Sequence, residues 1–516
     1  MKRRNFLRNS ALSTVPVMLN GMKLGAVPFP FMFSQGPEND RVLVLIQLNG
    51  GNDGINSVIP LDQYSALSTL RPNILIPESS VLPIETGLGL HPSMLKMQEL
   101  YQDGKMSIVQ GVGYPDQDRS HFRSTDIWTS GSASTEYLST GWLGRYFYDG
   151  HADYPEGYPN SEFDAPFALT MGSLISETCQ GPLTNFSLAI NDPFALAPLA
   201  EGEVGNFPDN NYGKELRFLL DAIAQTNAYA AVILDAANGG NNQATYPANN
   251  RLATQLKNVA LLIAGGLKTK VYICSLGGFD THSAQVGTND TTTGNHATLM
   301  LQLSEAVAAF QQDLKLAGKD EKVMTMTFSE FGRQIKSNDS LGTDHGSAAP
   351  LLLFGPCVKP GVLGDNPQIE INSDPQEGVA MQYDFRSVYA TVLKDWLGMD
   401  QNTIFEILNP EVQFLPLIEG CSLSTAIQQE VFTDVHFKLF PNPASTFTTM
   451  EWLSNGQAWN ATLLDKWGHQ VQSWAGQKGS TKLMSQKVNL PAVPSGHYYI
   501  NIRQGNQSVT KGIMIN

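Results

Sequence analysis

The sequence has little charge, and most of that charge is negative. Asp, Glu, Lys and Arg make up only 16% of the 516 residues, and the formal net charge is −15 at pH 7. Non-specific nucleic-acid binding depends on Lys and Arg that neutralise phosphates, and the sequence has no basic stripe or nucleic-acid-binding motif. We therefore expect no nucleic-acid partner. The low charge is compatible with a secreted protein.

Long apolar runs and paired cysteines are also missing. No uninterrupted apolar stretch reaches the roughly 18 residues of a transmembrane helix, so none is predicted. The four cysteines are far apart and form no C-x-x-C pair; they are Cys179, Cys274, Cys357 and Cys421. Four cysteines permit three disulfide pairings, and the sequence does not choose among them. Cys274 stands in an apolar strand and is expected to be a buried small residue.

The N-terminal segment has the order of a targeting sequence, with positive charge before a mild apolar stretch. Residues Arg3-Arg4-Asn5-Phe6-Leu7 closely resemble a twin-arginine export signal, and the alternative is a chance basic N-terminus. We predict an export signal over residues 1–34 and an exported protein. No A-x-A site indicates where the signal would be cleaved.

Two different patterns follow the predicted signal. Apolar runs alternate with helical periodicity through residues 41–398, which predicts an α/β domain over residues 35–425 with a largely parallel sheet flanked by helices. Residues 132–212 are rich in Gly, Pro, Asn, Ser and aromatics with little periodicity, and we expect long excursions there that pass over the active edge and shape a substrate cleft. From about Val435 onward, short alternating strands are separated by turns, which predicts a small, non-catalytic all-β sandwich over residues 433–516.

Acidic residues and histidines collect where three predicted strands end or begin. The carboxyl edge of a parallel sheet is where ligands bind, and carboxylates with imidazoles are the ligands of a divalent metal. The candidates are Asn52 and Asp53 after the first strand, Asp280 and His282 after the strand from Val271, and Glu330, Arg333, Asp344 and His345 between the strands at Val323 and Leu351. The alternative is a set of buried Asp–His and Glu–Arg pairs that order loops.

A predicted helix from Ser120 to Thr129 adds a candidate anion site. Its first turn carries Ser120, His121 and Arg123, and Arg119 precedes it. Helix N-termini favour anions, and arginine adds charge and fork geometry. A capped surface helix is the equally good alternative.

Five of these motifs, in order, resemble the bacterial family called domain of unknown function 1501, in the alkaline phosphatase and sulfatase clan. They are N-G-G-N-D-G, R-S-H-F-R-S-T-D-I-W-T-S-G, G-G-F-D-T-H, S-E-F-G-R and G-T-D-H-G, and the resemblance spans roughly residues 40–420. It implies an alkaline-phosphatase-like fold with two metal ions on the sheet. The C-terminal residues resemble the type IX secretion sorting domain of Bacteroidetes, which implies export and sorting machinery as partners and an outer-surface or secreted product.

The resemblance also implies roles for the candidate residues. The metal ligands would be Asp53, Asp280, His282, Glu330 and His345, with Asp344 less direct. Phe331 stands where the clan usually has a histidine. Two divalent ions are expected: Zn, Mn or Fe at the histidine-rich site, and Ca or Mg at an oxygen-rich site of Asp53 and Glu330. The substrate anion would contact Arg119, Arg123, Arg333 and Asn52.

The catalytic group stays open at this point. Counting back from Gly131, as in the sulfatase signature, reaches His121, while C-x-P-x-R and D-S-A signatures are both missing. Three alternatives remain. In the first, Ser120 attacks the substrate; in the second, His121 is a third nitrogen ligand and a metal-bound water attacks; in the third, the site binds a ligand without catalysing a reaction. The first functional hypothesis is a metal-dependent hydrolase of a phosphate or sulfate ester, or of a related small or polymeric anion. The alternative is a non-catalytic surface binding protein on a degenerate hydrolase fold.

Overall fold

The structure is a computed structural model with two compact units, Met1–Cys421 and Ser422–Asn516. It describes residues 39–196, 211–372, 374, 376–409, 411–421, 437–454, 458–465, 470–476, 483–504 and 507–516, and two short strands near the N-terminus. The predicted export signal over residues 1–34 lies outside the described residues, except for those two strands. None of the helices in the described ranges is long and apolar enough to cross a membrane.

In the described residues, the first unit combines one large sheet, a three-stranded sheet (β4-β6-β5), a two-stranded sheet (β1-β2) and helices. Its strands are β1 (Met18–Leu19), β2 (Met22–Lys23), β3 (Val42–Asn49), β4 (Val58–Pro60), β5 (Leu82–Glu85), β6 (Leu88–Leu90), β7 (Met106–Gly113), β8 (Ala168–Met171), β9 (Ser187–Ile190), β10 (Val271–Gly277), β11 (Val323–Phe328), β12 (Ala349–Phe354), β13 (Gly361–Leu363) and β14 (Tyr383–Asp384). Its α-helices are Gly54–Ser57, Tyr64–Leu70, Leu95–Gln102, His121–Ser130, Trp142–Gly150, Asn211–Gly239, Arg251–Ala264, Asn295–Leu316, Phe385–Thr391 and Gln401–Leu408. Single 3-10 turns are Leu61–Gln63, Glu78–Ser80, Pro92–Met94, Glu177–Cys179 and Asp320–Lys322, and a π-helical turn is Val392–Trp396.

The large sheet is mostly parallel and has β3 near its centre. Its order is β13-β7-β12-β11-β3-β10-β8-β9, with β14 also paired to β7, which makes nine strands in the described residues. All pairings are parallel except those of β12, which runs antiparallel to both β11 and β7. Apolar clusters cover both faces of the sheet, as the continuous apolar runs of β3, β7 and β11 require. The predicted α/β fold class with a largely parallel sheet is confirmed.

The direction of β12 decides where the second half of the site lies. The segment between β11 and β12 contains no helix, and a parallel return needs a crossover that is usually helical. The chain therefore turns back directly, so that β12 begins beside the end of β11. This brings Asp344 and His345, just before β12, to the edge where Glu330 follows β11.

The expectation that residues 132–212 form long excursions with little periodicity is wrong in three places. Trp142–Gly150 is a helix that buries Trp142, Leu143 and Phe147, and β8 and β9 extend the parallel sheet beyond β10. The two strands have only four residues each, too few to show a period. Residues 197–210 lie outside the described ranges.

The second unit is a small all-β domain, as predicted. Its strands are β15 (Lys438–Phe440), β16 (Phe447–Leu453), β17 (Trp459–Leu464), β18 (Gln470–Gly476), β19 (Leu483–Asn489), β20 (Gly496–Gln504) and β21 (Gln507–Ile515). They form two antiparallel sheets, β15-β16-β19 and β18-β17-β20-β21. Alternate side chains such as Met450, Trp452, Ile500 and Ile502 make its apolar core.

A disulfide closes the C-terminal end of the first unit. It joins Cys357 to Cys421 across a sequence separation of 64, whereas Cys179 and Cys274 are free and buried. The expectation that Cys274 is a buried small residue is confirmed, since its exposed fraction is 1%. Disulfides persist in oxidising compartments, which agrees with an exported protein.

Loss of this disulfide should cost much of the stability of the first unit. Cross-linking a loop of this length lowers the chain entropy of the unfolded state by an equivalent of about 4 kcal/mol. We expect Cys357→Ser/Cys421→Ser to lower the free energy of unfolding by about that amount in urea denaturation. Cys179→Ala is the matched control for a cysteine without a bond. Equal stability of the oxidised protein and the double variant would contradict this prediction.

Candidate functional site

Three histidines and one aspartate converge at the carboxyl edge of the large sheet. The Oδ1 atom of Asp280 lies 3.5 Å from His121 Nε2, 3.2 Å from His282 Nε2 and 3.4 Å from His345 Nε2. The Nε2 atoms of His282 and His345 are 2.9 Å apart. One ligand atom from each of His121, Asp280 and His345 lies within 4.8 Å of the other two, the geometry of a candidate metal site. The structure thus brings together residues from three distant sequence segments.

Each imidazole is oriented by its other ring nitrogen. His121 Nδ1 lies 2.9 Å from Glu330 Oε1, His282 Nδ1 lies 2.8 Å from Asp344 Oδ1, and His345 Nδ1 lies 2.7 Å from the carbonyl oxygen of Arg119. Carboxylate and carbonyl oxygens only accept hydrogen bonds, so in each case Nδ1 donates. In the neutral rings, all three Nε2 atoms then carry lone pairs that face the cluster. This is the carboxylate–histidine arrangement that orients metal ligands.

The cluster fits a divalent cation. The 2.9 Å separation of His282 Nε2 and His345 Nε2 suits two lone pairs on one cation, or one proton shared between the nitrogens as an N–H···N hydrogen bond. The Nε2 atom of His121 is buried and makes no hydrogen bond among the described residues. Donor atoms on one tetrahedral zinc ion lie about 3.4 Å apart, because each bond is about 2.1 Å long. The measured separations of 2.9–3.5 Å lie around that value.

Two glycines and one phenylalanine let the cluster form. Gly50 has a φ of +121°, and a Cβ there would lie 2.2 Å from the backbone nitrogen of Asp280, so only glycine allows the end of β3 to approach that closely. Gly51 has a φ of +81°, and a Cβ there would lie 2.4 Å from the ring of Phe331. The Phe331 ring centre lies 4.9 Å from that of His121 and 4.6 Å from that of His345, so it forms an apolar wall behind both imidazoles.

Electrostatics keep the acids ionised and His345 neutral. Burial raises the pKa of Asp280, but the hydrogen bond and charge of Arg333 outweigh it, and the pKa is below its ordinary value. A hydrogen bond from His282 lowers the pKa of Asp344 against a smaller effect of burial. Burial lowers the pKa of His345, and the nearby charge of Arg333 adds to that effect. Deprotonated carboxylates and a neutral imidazole are the forms that bind metal.

Asp53 lies away from this cluster. It is fully buried, and Arg71 Nη1 donates to both of its oxygens, at 3.1 and 2.9 Å, while Gln285 Nε2 donates to Oδ2 at 2.7 Å. Burial raises the pKa of Asp53, but the charge of Arg71 offsets this and the pKa remains below its ordinary value. In the described part of the chain, the metal-capable group is that of His121, Asp280 and His345, and Asp53 is not in it.

Glu330 reaches the cluster only through His121. Its Oε1 accepts from the backbone N–H of Gly50 at 2.8 Å and from His121 Nδ1, whereas Ser329 Oγ, 3.2 Å from Oε2, is closer to the Leu48 carbonyl oxygen at 2.7 Å and donates its one hydrogen there. The exposed fraction of Glu330 is 4%. Oε1 is therefore the oxygen that orients His121 and the end of β3.

All four residues predicted to bind the substrate anion already have protein partners. The buried Arg333 guanidinium donates to the carbonyl oxygens of Gly50, Gly51, Phe279 and Thr343 and to Asp280. Arg123 pairs with Asp126 and donates to backbone oxygens of residues 133, 134 and 136. Asn52 is buried, and its amide oxygen accepts from Ser57 and His296. Arg119, half-buried, donates to the Gln376 carbonyl oxygen at 2.6 Å and lies at the rim.

The helix His121–Ser130 begins at the cluster. Ser120 is its N-cap residue, but the Ser120 side chain makes no capping hydrogen bond and is exposed. The helix ends at Gly131 with a φ of +72°, as the sequence predicts. In the described residues, no histidine or carboxylate hydrogen-bonds to Ser120 Oγ, so a base that would activate this hydroxyl is not in place.

Sequence reasoning missed several residues that hold the site in shape. Arg71 and Gln285 fix Asp53, and Gln285 Oε1 also accepts from Thr281 and Thr343. Asn338 Nδ2 donates to the carbonyl oxygen of His282 at 2.9 Å and to Asp344 Oδ1 at 3.3 Å. None of these residues belongs to a motif, so no pattern distinguished them.

Two further histidines are buried beneath the site. His91 and His296 are each 1% exposed, and their ring centres lie 5.6 Å apart. Burial is the largest cause that lowers the pKa of His91 to about 3 and that of His296 to about 4. Both are therefore neutral in the folded protein at pH values where the unfolded chain would protonate them.

These two histidines predict acid sensitivity well above the range where carboxylates titrate. Below pH 6.5 the two histidines take up protons in the unfolded state but not in the folded state. The free energy of unfolding therefore decreases as the pH is lowered, until the folded pKa values are reached. At one pKa unit per 1.36 kcal/mol, the loss between pH 7 and pH 5 is up to about 4 kcal/mol. Urea denaturation at both pH values measures it. The variant His91→Asn/His296→Gln keeps the hydrogen-bonding atoms and should lose most of this pH dependence; an unchanged dependence would contradict the assignment.

A cavity of about 500 Å³ lies at the opposite edge of the sheet. It is lined by the residues at the amino ends of β3, β10 and β11, including Val42, Lys270 and Lys322, and by Phe163 and Phe167. Its lining includes His151 and several carboxylates, but among the described residues these form no group with metal-ligand spacing. Chemistry therefore points to the carboxyl edge rather than to this cavity.

Each of the two units contains a segment that matches a known protein family. Residues 100–409 match the family described as protein of unknown function (DUF1501), and residues 438–516 match the secretion system C-terminal sorting domain. A comparison with curated proteins gives no match.

Similar solved structures share little sequence with the chain. A protein of the alkaline phosphatase superfamily from Vibrio parahaemolyticus is 11% identical with a TM-score of 0.31, over 96% of this chain and 92% of that one. A putative sulfatase from Bacteroides fragilis is 9% identical with a TM-score of 0.32, over 85% and 89%. The lipoteichoic acid synthase LtaP from Listeria monocytogenes is 8% identical with a TM-score of 0.30, over 72% and 77%.

Proposed function

We propose that this chain, which belongs to the DUF1501 family, is a metal-dependent hydrolase of a phosphate ester, a sulfate ester or a related anionic substrate. Its C-terminal sorting domain indicates an exported or outer-surface protein that uses the secretion machinery. The observation that carries the proposal is the convergence of three imidazole Nε2 atoms on the exposed carboxylate of Asp280.

The residues divide into metal ligands and the groups that orient them. His121, Asp280, His282 and His345 would hold the ion, and this mixed nitrogen and oxygen set suits Zn, Mn or Fe. A divalent ion there would polarise an ester oxygen and make water more acidic. Glu330 and Asp344 hold the imidazoles of His121 and His282 in the ligand tautomer. Phe331 keeps the inner side of the cluster dry.

The start of the helix His121–Ser130 supplies the anion subsite in this proposal. Backbone N–H groups in its first turn carry the positive end of the helix dipole, and Arg119 lies at the same rim. Arg333 acts indirectly, because its guanidinium is used up by four carbonyl oxygens and Asp280. Charge on the substrate would therefore be offset mainly by the ion and by this helix terminus.

Water is the attacking group that the geometry favours. The buried Nε2 of His121 lies 3.5 Å from Asp280 Oδ1, and as a metal ligand its lone pair would be bonded to the ion and could not attack the substrate. Ser120 has no base beside its hydroxyl among the described residues. The role of Ser120 can be tested directly.

Ser120→Ala should change kcat by less than about threefold in hydrolysis of aryl phosphate, phosphodiester and aryl sulfate substrates. Removing a true nucleophile costs about a million-fold in kcat. His121→Ala, on the next residue, is the matched variant and should remove both bound metal and activity. A Ser120→Ala protein that binds metal normally but has no activity would make Ser120 the nucleophile.

Non-catalytic binding is the second candidate, and one observation favours it. Arg123, Arg333 and Asn52 are engaged with protein partners, so few side chains remain to bind a substrate anion. Metal-loaded protein without activity on the whole substrate panel would support this candidate. Hydrolysis of any member, lost in His345→Ala, would support the hydrolase.

A further inference from the structure

Asp53 is paired with a buried guanidinium at the position where the family resemblance implies a metal ligand. The side chains of Asp53 and Arg71 have exposed fractions of 0%, and their closest nitrogen–oxygen distance is 2.9 Å. We infer that Arg71 replaces a second cation beside Asp53, so that the site binds one metal ion instead of two. This inference rests on the proposed function, since it concerns the same site.

The carboxylate of Asp53 has no free direction left for a metal. Arg71 Nη1 donates to both of its oxygens, Gln285 Nε2 donates to Oδ2 at 2.7 Å, and the N–H of Asn56 lies 3.4 Å from Oδ1. A divalent ion would need to displace these donors and lie against the charge of Arg71. Two like charges in a buried place repel strongly, because water does not screen them.

Arg71 is held in place from its other side. Its Nε donates to the carbonyl oxygen of Ile335 at 2.8 Å, and Nη2 donates to that of Gln334 at 2.8 Å. Nη1 also donates to Asn56 Oδ1 at 3.1 Å. The guanidinium thus bridges Asp53 and the segment after β11, as a structural cation would.

Glu330, the other predicted ligand of the second ion, is occupied in a different way. It accepts from the N–H of Gly50 and from Nδ1 of His121, and is thereby committed to orienting the imidazole. Arg333 adds a second fixed charge, with Nη2 lying 2.8 Å from Asp280 Oδ1. Two guanidinium groups therefore provide the positive charge that a second ion would supply.

Metal content separates one ion from two. Full-length protein loaded with zinc, and in parallel with manganese, is dialysed and analysed by plasma mass spectrometry. We expect one equivalent per chain in the wild type and in Asp53→Asn, and none in His345→Ala. Because Asp53→Asn leaves Arg71 unpaired and can impair folding, Asp53→Asn/Arg71→Met, which removes both charges, is analysed beside it and should also bind one equivalent.

Each other result has a distinct meaning. Two equivalents in the wild type, or loss of bound metal in the folded double variant, would overturn this inference and leave the proposed metal site intact. No metal in the wild type would overturn the proposed function, and the inference with it. A wild-type value of one that persists in the double variant supports the inference.

Discussion

Replacing His345 with alanine is expected to lower the affinity for zinc by more than about 100-fold. Loss of a group that merely orients a ligand costs 10- to 100-fold in affinity, and His345 is itself a ligand in our proposal. Its Nε2 lies 2.9 Å from that of His282 and 3.4 Å from Asp280 Oδ1, so its removal opens the middle of the cluster. Competition with a fluorescent chelator measures the affinity.

A graded series makes this prediction specific. Asp344→Asn should cost about 10- to 100-fold, because Asp344 contacts the cluster only through His282 Nδ1. His497→Ala is the control, since His497 is an exposed histidine of the C-terminal domain and should leave the affinity unchanged. If His345→Ala binds zinc as tightly as His497→Ala does, the cluster is not the metal site.

The convergence of the cluster was predictable because it follows a rule of strand ends. Asp280 and His282 follow β10, and His121 lies at the start of a helix that the sequence places correctly. Parallel strands present their carboxyl ends at one edge, whatever their separation in sequence. The rule of parallel strand ends does not place His345, because His345 lies before the start of β12 and reaches this edge only if β12 runs antiparallel. The helix-free segment after β11 indicates that direction, but the apolar pattern of β12 alone does not.

The position of Asp53 was not predictable in the same way. Its partner Arg71 follows the short helix Tyr64–Leu70 and belongs to no motif, and a buried ion pair leaves no periodic trace in sequence. The contacts of Arg333 were also not predictable. Its position after a strand is typical of an anion-binding residue, but its N–H groups donate to carbonyl oxygens. Residue type at a strand end predicts that a polar side chain reaches the rim, and its hydrogen-bond partners decide whether it is free to bind a ligand.

Replacing Arg71 with methionine should lower the free energy of unfolding by about 3–5 kcal/mol. Breaking a buried ion pair on one side leaves an uncompensated charge in a place without water. Asp53 would keep only its hydrogen bonds from Gln285 and Asn56, and the carbonyl oxygens of Gln334 and Ile335 would lose their donors. Urea denaturation at pH 7 measures the change.

The double variant Asp53→Asn/Arg71→Met should be considerably more stable than Arg71→Met alone. A buried pair replaced on both sides is often neutral or even stabilising, because the cost of removing two charges from water disappears with the charges. A double-mutant cycle with Asp53→Asn gives the coupling energy of the pair. A coupling near zero would mean that Asp53 and Arg71 act independently, and the role of Arg71 as a fixed cation for this carboxylate would then fail on energetic grounds.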